Sequence, residues 1–85
     1  MAITVIASDI RHLLAGTSEN PVLYVKTSPE GPELDVWDEA YVRAGRIVAR
    51  RHEIVDWIGD DADDDLIDGA LPEIQQTIDE ITADL

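Results

Sequence analysis

The sequence predicts a small α+β domain, because three patterns follow one another along its 85 residues. A short amphipathic segment comes first, two β-rich segments joined by a turn signal come next, and a long stretch with helical periodicity closes the chain. We therefore expect a three-stranded antiparallel β-meander with a short N-terminal helix and C-terminal amphipathic helices packed on one sheet face. Since 85 residues supply one core and no linker interrupts them, residues 1–85 are expected to form a single domain.

The first helix is predicted over residues 9–15. Ser8-Asp9 provides an N-cap and Gly16 a C-terminal stop, and the apolar face between them consists of Ile10, Leu13 and Leu14. Residues 2–7 are rich in β-branched side chains, and periodicity over so few residues fits a strand or one more helical turn. We favour a short strand.

A β-hairpin is the clearest local prediction. The segment Ser28-Pro29-Glu30-Gly31 places Ser, Pro and Gly where a type I turn prefers them. Folding about this turn matches side chains on both faces of the hairpin, pairing Val25 with Leu34, Leu23 with Val36, Lys26 with Glu33 and Val22 with Trp37. One register thus produces an ion pair and several apolar pairs.

Residues 46–51 predict a third strand, followed by a helix over residues 52–58 that stops at Gly59. The alternative is a continuous helix over residues 41–58, whose apolar stripe would be Tyr41, Ala44, Val48, Val55 and Ile58. Gly45 weighs against that helix, and so does the stacking of like charges at helical spacing. We favour a strand followed by a helix.

An amphipathic helix is predicted from Ala62 to the C-terminus. Its apolar residues recur at spacings of three and four, and they are Ile67, Leu71, Ile74, Ile78, Ile81 and Leu85. Pro72 is the one irregularity, because proline is tolerated in the first turn of a helix but kinks its interior. The segment is therefore either a helix over residues 63–70 followed by another from residue 72, or a single bent helix.

Charge is distributed unevenly in this chain, whose net charge is −13 and whose pI is near 4.1. Residues 43–52 contain no acid and four arginines, which are Arg43, Arg46, Arg50 and Arg51. Residues 60–85 contain no Lys or Arg and ten carboxylates, which are Asp60, Asp61, Asp63, Asp64, Asp65, Asp68, Glu73, Asp79, Glu80 and Asp84. Such acidity disfavours direct binding to nucleic acid or an anionic membrane and favours a basic protein partner.

The residue types and spacings in the sequence give little indication of catalysis or metal binding. The absence of Cys removes disulfides, thiolate metal sites and a Cys nucleophile. His12 and His52 are forty residues apart, outside any metal-binding spacing. An EF-hand alignment of the acidic run fails at its glycine position, Leu66, and at its bidentate acid position, Pro72. We expect a non-enzymatic protein without catalytic residues, metal or cofactor.

The ten carboxylates are one candidate partner-binding surface. On a helix, Glu73, Glu80 and Asp84 share one flank of the isoleucine stripe, with axial separations of about 10 Å and about 6 Å. Asp68 and Asp79 lie on the other flank. Two such lines of charge could imitate a phosphate backbone and occupy the basic groove of a nucleic-acid-binding protein.

The aromatic residues supply the second candidate surface. Trp37 is expected to face outward on the hairpin with Tyr24 on the same side, where the pair could anchor a partner. Cover by a loop or by the N-terminal segment is the simpler outcome for this pair. Trp57, beside Ile54 and Ile58, is expected to be a core residue.

Together these features predict an acidic protein-interaction domain that binds a basic protein surface, in its sharpest form a small inhibitor that mimics nucleic acid. The alternative is a salt-adapted structural or regulatory subunit that contacts partners through its sheet face, since a surface rich in Asp and poor in Lys is typical of adaptation to high salt. The four arginines could also meet the acidic helix within one molecule or across a homodimer. Without a cationic leader or a long apolar run, the protein is expected to be soluble and cytoplasmic.

Overall fold

The computed structural model describes residues 3–84 of the chain. Its elements, in order, are α1 Ala7–Leu14, β1 Pro21–Ser28, β2 Gly31–Asp38, a 3₁₀ turn Glu39–Tyr41, β3 Arg46–Arg50, α2 Arg51–Ile58 and α3 Asp64–Ala83. The three strands form one antiparallel sheet and the helices pack on it, so the α+β class is confirmed. Residue 2 of the predicted strand and Leu85 of the predicted helix lie outside the described residues.

The strand order is β2-β1-β3, which differs from a meander because β3 pairs with β1 and not with β2. The first five residues of β1, from Pro21 to Val25, are all buried. A continuous apolar run is what a strand covered on both faces requires, and this makes β1 the central strand. The chain therefore crosses from the end of β2 to the far side of β1 before β3 begins.

The hairpin formed by β1 and β2 has the predicted register, with all four predicted pairs present. Its turn is held by Ser28, whose hydroxyl donates to the Gly31 carbonyl at 2.8 Å and accepts from the Glu30 N–H at 3.3 Å. Gly31 adopts a φ of 122°, a conformation that side chains disfavour. The predicted third strand and second helix are also confirmed, and the continuous helix over residues 41–58 is wrong.

The strand predicted at the N-terminus is wrong for residues 3–6, which have no regular structure. Their backbone bonds to a side chain of α3 instead of to a neighbouring strand. Gln75 Oε1 accepts from the Val5 N–H at 2.8 Å, and Gln75 Nε2 donates to the Ile3 carbonyl at 2.6 Å. Since Gln75 is 70 residues from Val5, local sequence could not reveal this partner.

Helix α1 begins two residues earlier than predicted, because its N-cap residue is Ile6 and not Ser8. Asp9 is the third helical residue, and its Oδ2 accepts from the Ile6 N–H at 3.0 Å. A carboxylate can satisfy an unpaired N–H from this position as well as from the N-cap itself. The Ser8-Asp9 signal therefore lies in the first turn of α1, but it predicts the wrong first residue for the helix.

Helix α3 is one uninterrupted helix of 20 residues with Pro72 in its interior. Its N-cap is Asp63, whose Oδ1 accepts from the Leu66 N–H at 3.0 Å. Pro72 is exposed, so water can bond to the carbonyl that loses its helical donor. The isoleucines of α3 pack against the inner face of the sheet and against α1. The central members of this core are Ile10, Leu13, Leu23, Ile67, Ile74 and Ile78. No helix in the described range is long and apolar enough to cross a membrane.

Candidate protein-interaction surfaces

The ten predicted carboxylates are all exposed, on α3 and on the turn that precedes it. We call this surface the acidic face of α3. Asp60 and Asp61 lie in the turn, Asp63 caps the helix, and the remaining carboxylates extend from its first residue to its C-cap, Asp84. From Asp63 to Asp84 the helix rises by about 32 Å. The ten carboxylates thus extend along the solvent-exposed side of α3 and the turn before it, on both flanks of the isoleucine stripe.

Four of these carboxylates have contacts within the fold. Asp63 caps the helix, Asp64 forms an ion pair with Arg11 of α1, and Asp79 Oδ1 accepts from Gln75 Nε2 at 3.0 Å. Asp84 lies 3.7 Å from Arg46. In residues 3–84 the other six have no hydrogen-bond or ion-pair partner, and they are Asp60, Asp61, Asp65, Asp68, Glu73 and Glu80. Most of the acidic face is therefore without a counter-charge in the part of the chain that the structure describes.

Among the described residues, the arginine cluster neutralises the acidic face at one point, the contact of Arg46 with Asp84. Arg50 instead bonds Glu39 through its Nε at 2.8 Å. Arg51 Nε donates to the Leu14 carbonyl at 3.0 Å and so ties α2 to the end of α1. Arg46 and Arg50 lie at opposite ends of β3, and Arg51 is the first residue of α2, so the cluster is spread over two elements.

Trp37 and Tyr41 form an exposed aromatic pair on the outer face of the sheet, the face opposite the helices. Their ring centroids are 5.5 Å apart with an interplanar angle of 26°, and their exposed fractions are 54% and 59%. Asp38 brings them together because its Oδ1 accepts from the Ala40 N–H at 2.9 Å, which turns the chain back over the end of β2. Trp37 therefore faces outward as predicted.

Tyr24 is on the same face as Trp37 but is buried, so the alternative of cover by a loop holds for Tyr24, whereas Trp37 stays exposed. Residues 42–45 cross this face on the way to β3 and cover its ring. At Gly45 an added Cβ would lie 3.0 Å from the Tyr24 ring and 2.7 Å from the Val25 carbonyl oxygen. Tyr41 is the exposed partner of Trp37 that sequence reasoning missed. The Asp38-Glu39-Ala40 turn signal between the two aromatics could have identified it.

Charged groups on the outer face have partners. Lys26 Nζ lies 3.2 Å from Asp35 Oδ2 and 3.9 Å from Glu33 Oε2. The hydrogen bond to Asp35 raises the pKa of Lys26. Burial by itself would raise the pKa of Asp35, but the hydrogen bond from the Val36 N–H and the Lys26 ammonium outweigh it and lower that pKa. Burial raises the pKa of Tyr24, and the nearby Asp35 charge adds to the effect.

Asp38 is the buried carboxylate of the described chain, and it joins the ends of the hairpin strands. Its Oδ2 accepts from the Asn20 N–H at 2.9 Å and its Oδ1 from the Ala40 N–H at 2.9 Å. These two backbone hydrogen bonds lower the pKa of Asp38. The hydrogen bond from Arg50 to Glu39 similarly raises the pKa of Arg50. Charges at this end of the sheet hold the strands and the 3₁₀ turn together.

Trp57 is 46% exposed, so its prediction as a core residue is wrong. It lies on the side of α2 that faces α3, beside an open groove of about 190 Å³. The groove is lined by Val48, Ala49, Glu53, Ile54, Trp57, Glu73, Ile74 and Thr77. Ile54 fills the position against the core instead. A helix of eight residues presents one narrow buried face, and Trp57 falls beside it.

Within the described residues, no group of three or more His, Asp or Glu side chains is arranged to hold a metal ion. Comparison of the chain with models of protein families, with curated proteins and with solved structures finds no match.

Proposed function

We propose that this chain is a non-enzymatic protein-interaction domain that binds a basic protein surface through the acidic face of α3. The observation that carries the proposal is the set of six exposed carboxylates without a partner in the described chain. Exposed charges of one sign raise the rate of association with an oppositely charged surface. The chain lacks Cys, as is typical of proteins of the reducing cytoplasm, where we place it.

Mimicry of nucleic acid is the sharpest form of this function. The axial rise from Glu73 to Glu80 and from Glu80 to Asp84 is about 10 Å and about 6 Å. Successive phosphates of one DNA strand are spaced by about 3.4 Å along the duplex axis, so these separations are close to three and two phosphate steps. A groove that binds a phosphate backbone would meet similar charge spacing on α3, and the protein would act as an inhibitor of its nucleic-acid-binding partner.

Displacement of labelled duplex DNA from a panel of purified DNA-binding proteins with basic grooves tests the proposal. We expect the protein to displace DNA from at least one of them. Reversal of Glu73, Glu80 and Asp84 to Lys should weaken displacement by about tenfold or more, because each reversal replaces an attraction by a repulsion. Circular dichroism checks that the variant stays folded.

The control for net charge reverses three exposed carboxylates away from α3, Glu19, Glu30 and Asp56. Both triple variants have a net charge of −7 because each reversal adds two positive charges to the original −13. We expect the control to retain most of the displacement. Equal loss in both variants would show that total charge, and not the arrangement on α3, determines binding.

The second candidate is a salt-adapted structural or regulatory subunit that contacts a partner through the outer face of the sheet. The exposed stack of Trp37 on Tyr41 favours it, since half-exposed aromatic pairs are typical of interface anchors. The substitution Trp37→Ala separates the candidates. It should leave DNA displacement unchanged if the acidic face binds the partner, and should abolish partner binding if the sheet face does.

A further inference from the structure

The groove between α2 and α3 has the size of a site for one side chain. Its volume of about 190 Å³ is equivalent to roughly six water molecules. Ligand pockets for small molecules are usually larger, at about 300–1,000 Å³. Val48 and Ala49 of β3, with Ile54 and Ile74 of the two helices, give the groove an apolar floor. A long side chain with an apolar stem would fit this surface.

Each helix contributes a residue pair with a spacing of four to the groove, so both members of each pair lie on the same helix face. Glu53 and Trp57 come from α2, and Glu73 and Thr77 come from α3. An indole and two carboxylates therefore border one cleft. The Thr77 hydroxyl donates to the Glu73 carbonyl at 3.3 Å, and within residues 3–84 the Glu73 carboxylate has no partner.

We propose that this groove binds an arginine side chain of the basic partner, with the guanidinium against Trp57 and Glu73. The inference rests on the proposed function and names the group that the acidic face recognises. The methylene stem of arginine covers the apolar floor, while its planar head stacks on the indole and donates to the carboxylate. Cation–π contact and charge pairing then act on the same group.

Other occupants fit the groove less well. An apolar side chain would remove water from the Glu73 carboxylate without replacing its hydrogen bonds, which is unfavourable. An anion would be repelled by Glu53, by Glu73 and by the net charge of −13. Arg50 of the protein itself already bonds Glu39, and its Nη1 lies 3.8 Å from Glu53 Oε1 on the α2 side of the groove. The Glu73 side remains open to a partner.

Titration with a hexa-arginine peptide, followed by ¹H–¹⁵N NMR of the two indole N–H groups, tests this assignment on the full chain. The Trp57 signal should shift saturably, whereas the Trp37 signal, from the opposite face of the sheet, should not. Hexa-citrulline, which is neutral and nearly isosteric, should produce no shift. Hexa-lysine should bind about fivefold more weakly because ammonium does not stack on an indole as guanidinium does. Equal binding of the arginine and lysine peptides would overturn the assignment to arginine.

Matched variants locate the bound group. Glu73→Gln should weaken hexa-arginine binding by about fivefold, and Glu80→Gln, two turns away on the same flank, by less than about twofold. Trp57→Leu should also weaken binding about fivefold in calorimetry. Binding with backbone shifts around Glu80 and Asp84 and none at Trp57 would overturn the groove assignment and leave the proposed function intact. No binding in dilute buffer, together with no displacement of DNA, would overturn both.

Discussion

The outer face of the sheet and the acidic face of α3 both carry carboxylates, but they use them differently. On the outer face, Asp35 pairs with Lys26, and beside it Glu39 pairs with Arg50. On α3, six of ten carboxylates have no partner in the described residues. Half-buried carboxylates need partners because removing a charge from water is costly, whereas exposed carboxylates need none. Carboxylates on the sheet therefore contribute to the contacts of the fold, whereas most carboxylates on the acidic face of α3 have no counter-charge within residues 3–84.

The two regions also differ in how closely their backbones are packed, because Gly45 has close neighbours and Gly69 on α3 has none. Substitution of these two glycines should therefore have opposite effects on stability. Gly45→Ala should destabilise the protein by about 1–3 kcal/mol, because the new Cβ would meet the Val25 carbonyl and the Tyr24 ring. Gly69→Ala on α3 should stabilise it by about 0.5–1 kcal/mol, because nothing lies within 4 Å and alanine favours a helix. Thermal unfolding measures both, with about 4–8 °C expected per kcal/mol. Equal signs would mean that the loop over Tyr24 is loosely packed.

Neutralising one carboxylate on each surface should give a smaller difference. Asp35→Asn should lower the melting temperature by a few degrees at most, since its ion pair with Lys26 is partly exposed. Because folding lowers the pKa of Asp35, its stabilising effect is complete above the unfolded pKa of about 3.9 and is lost as the pH falls through the folded pKa. The deficit of Asp35→Asn should therefore be present at neutral pH and should vanish in acid. Glu80→Gln should leave stability unchanged or slightly raised.

Added salt should produce the smallest effect. We expect the protein to be folded at about 10 mM KCl, where the Debye length is about 30 Å, and to gain only a few degrees of melting temperature by about 1 M KCl, where it is about 3 Å. The gain in melting temperature arises because salt screens the repulsion among the like charges on α3. The charges of the sheet are paired with opposite charges, so screening does not stabilise them in this way. A chain that folds only at molar salt would instead support the salt-adapted subunit and would weaken the case for mimicry.

The parts of the fold that follow local rules could be predicted from the sequence. Turn residues at Ser28-Pro29-Glu30-Gly31 and alternation along β2 determined the hairpin register, since a shift by one residue would exchange the two faces of β2. Gly59 ended α2 where expected, with a φ of 90°. The exposed acidic surface of α3 could be predicted because helical periodicity alone separates its isoleucines from its carboxylates.

What only the tertiary structure decided concerns neighbours distant in sequence. Pairing of β3 with β1, burial of Tyr24 under residues 42–45, and exposure of Trp57 beside Glu73 all depend on how elements meet. The same is true of the carboxylates, because Asp84 has Arg46 as a partner while Glu80 has none among residues 3–84. Periodicity assigns a side chain to a face of its own helix or strand, but burial and charge pairing depend on which other element covers that face.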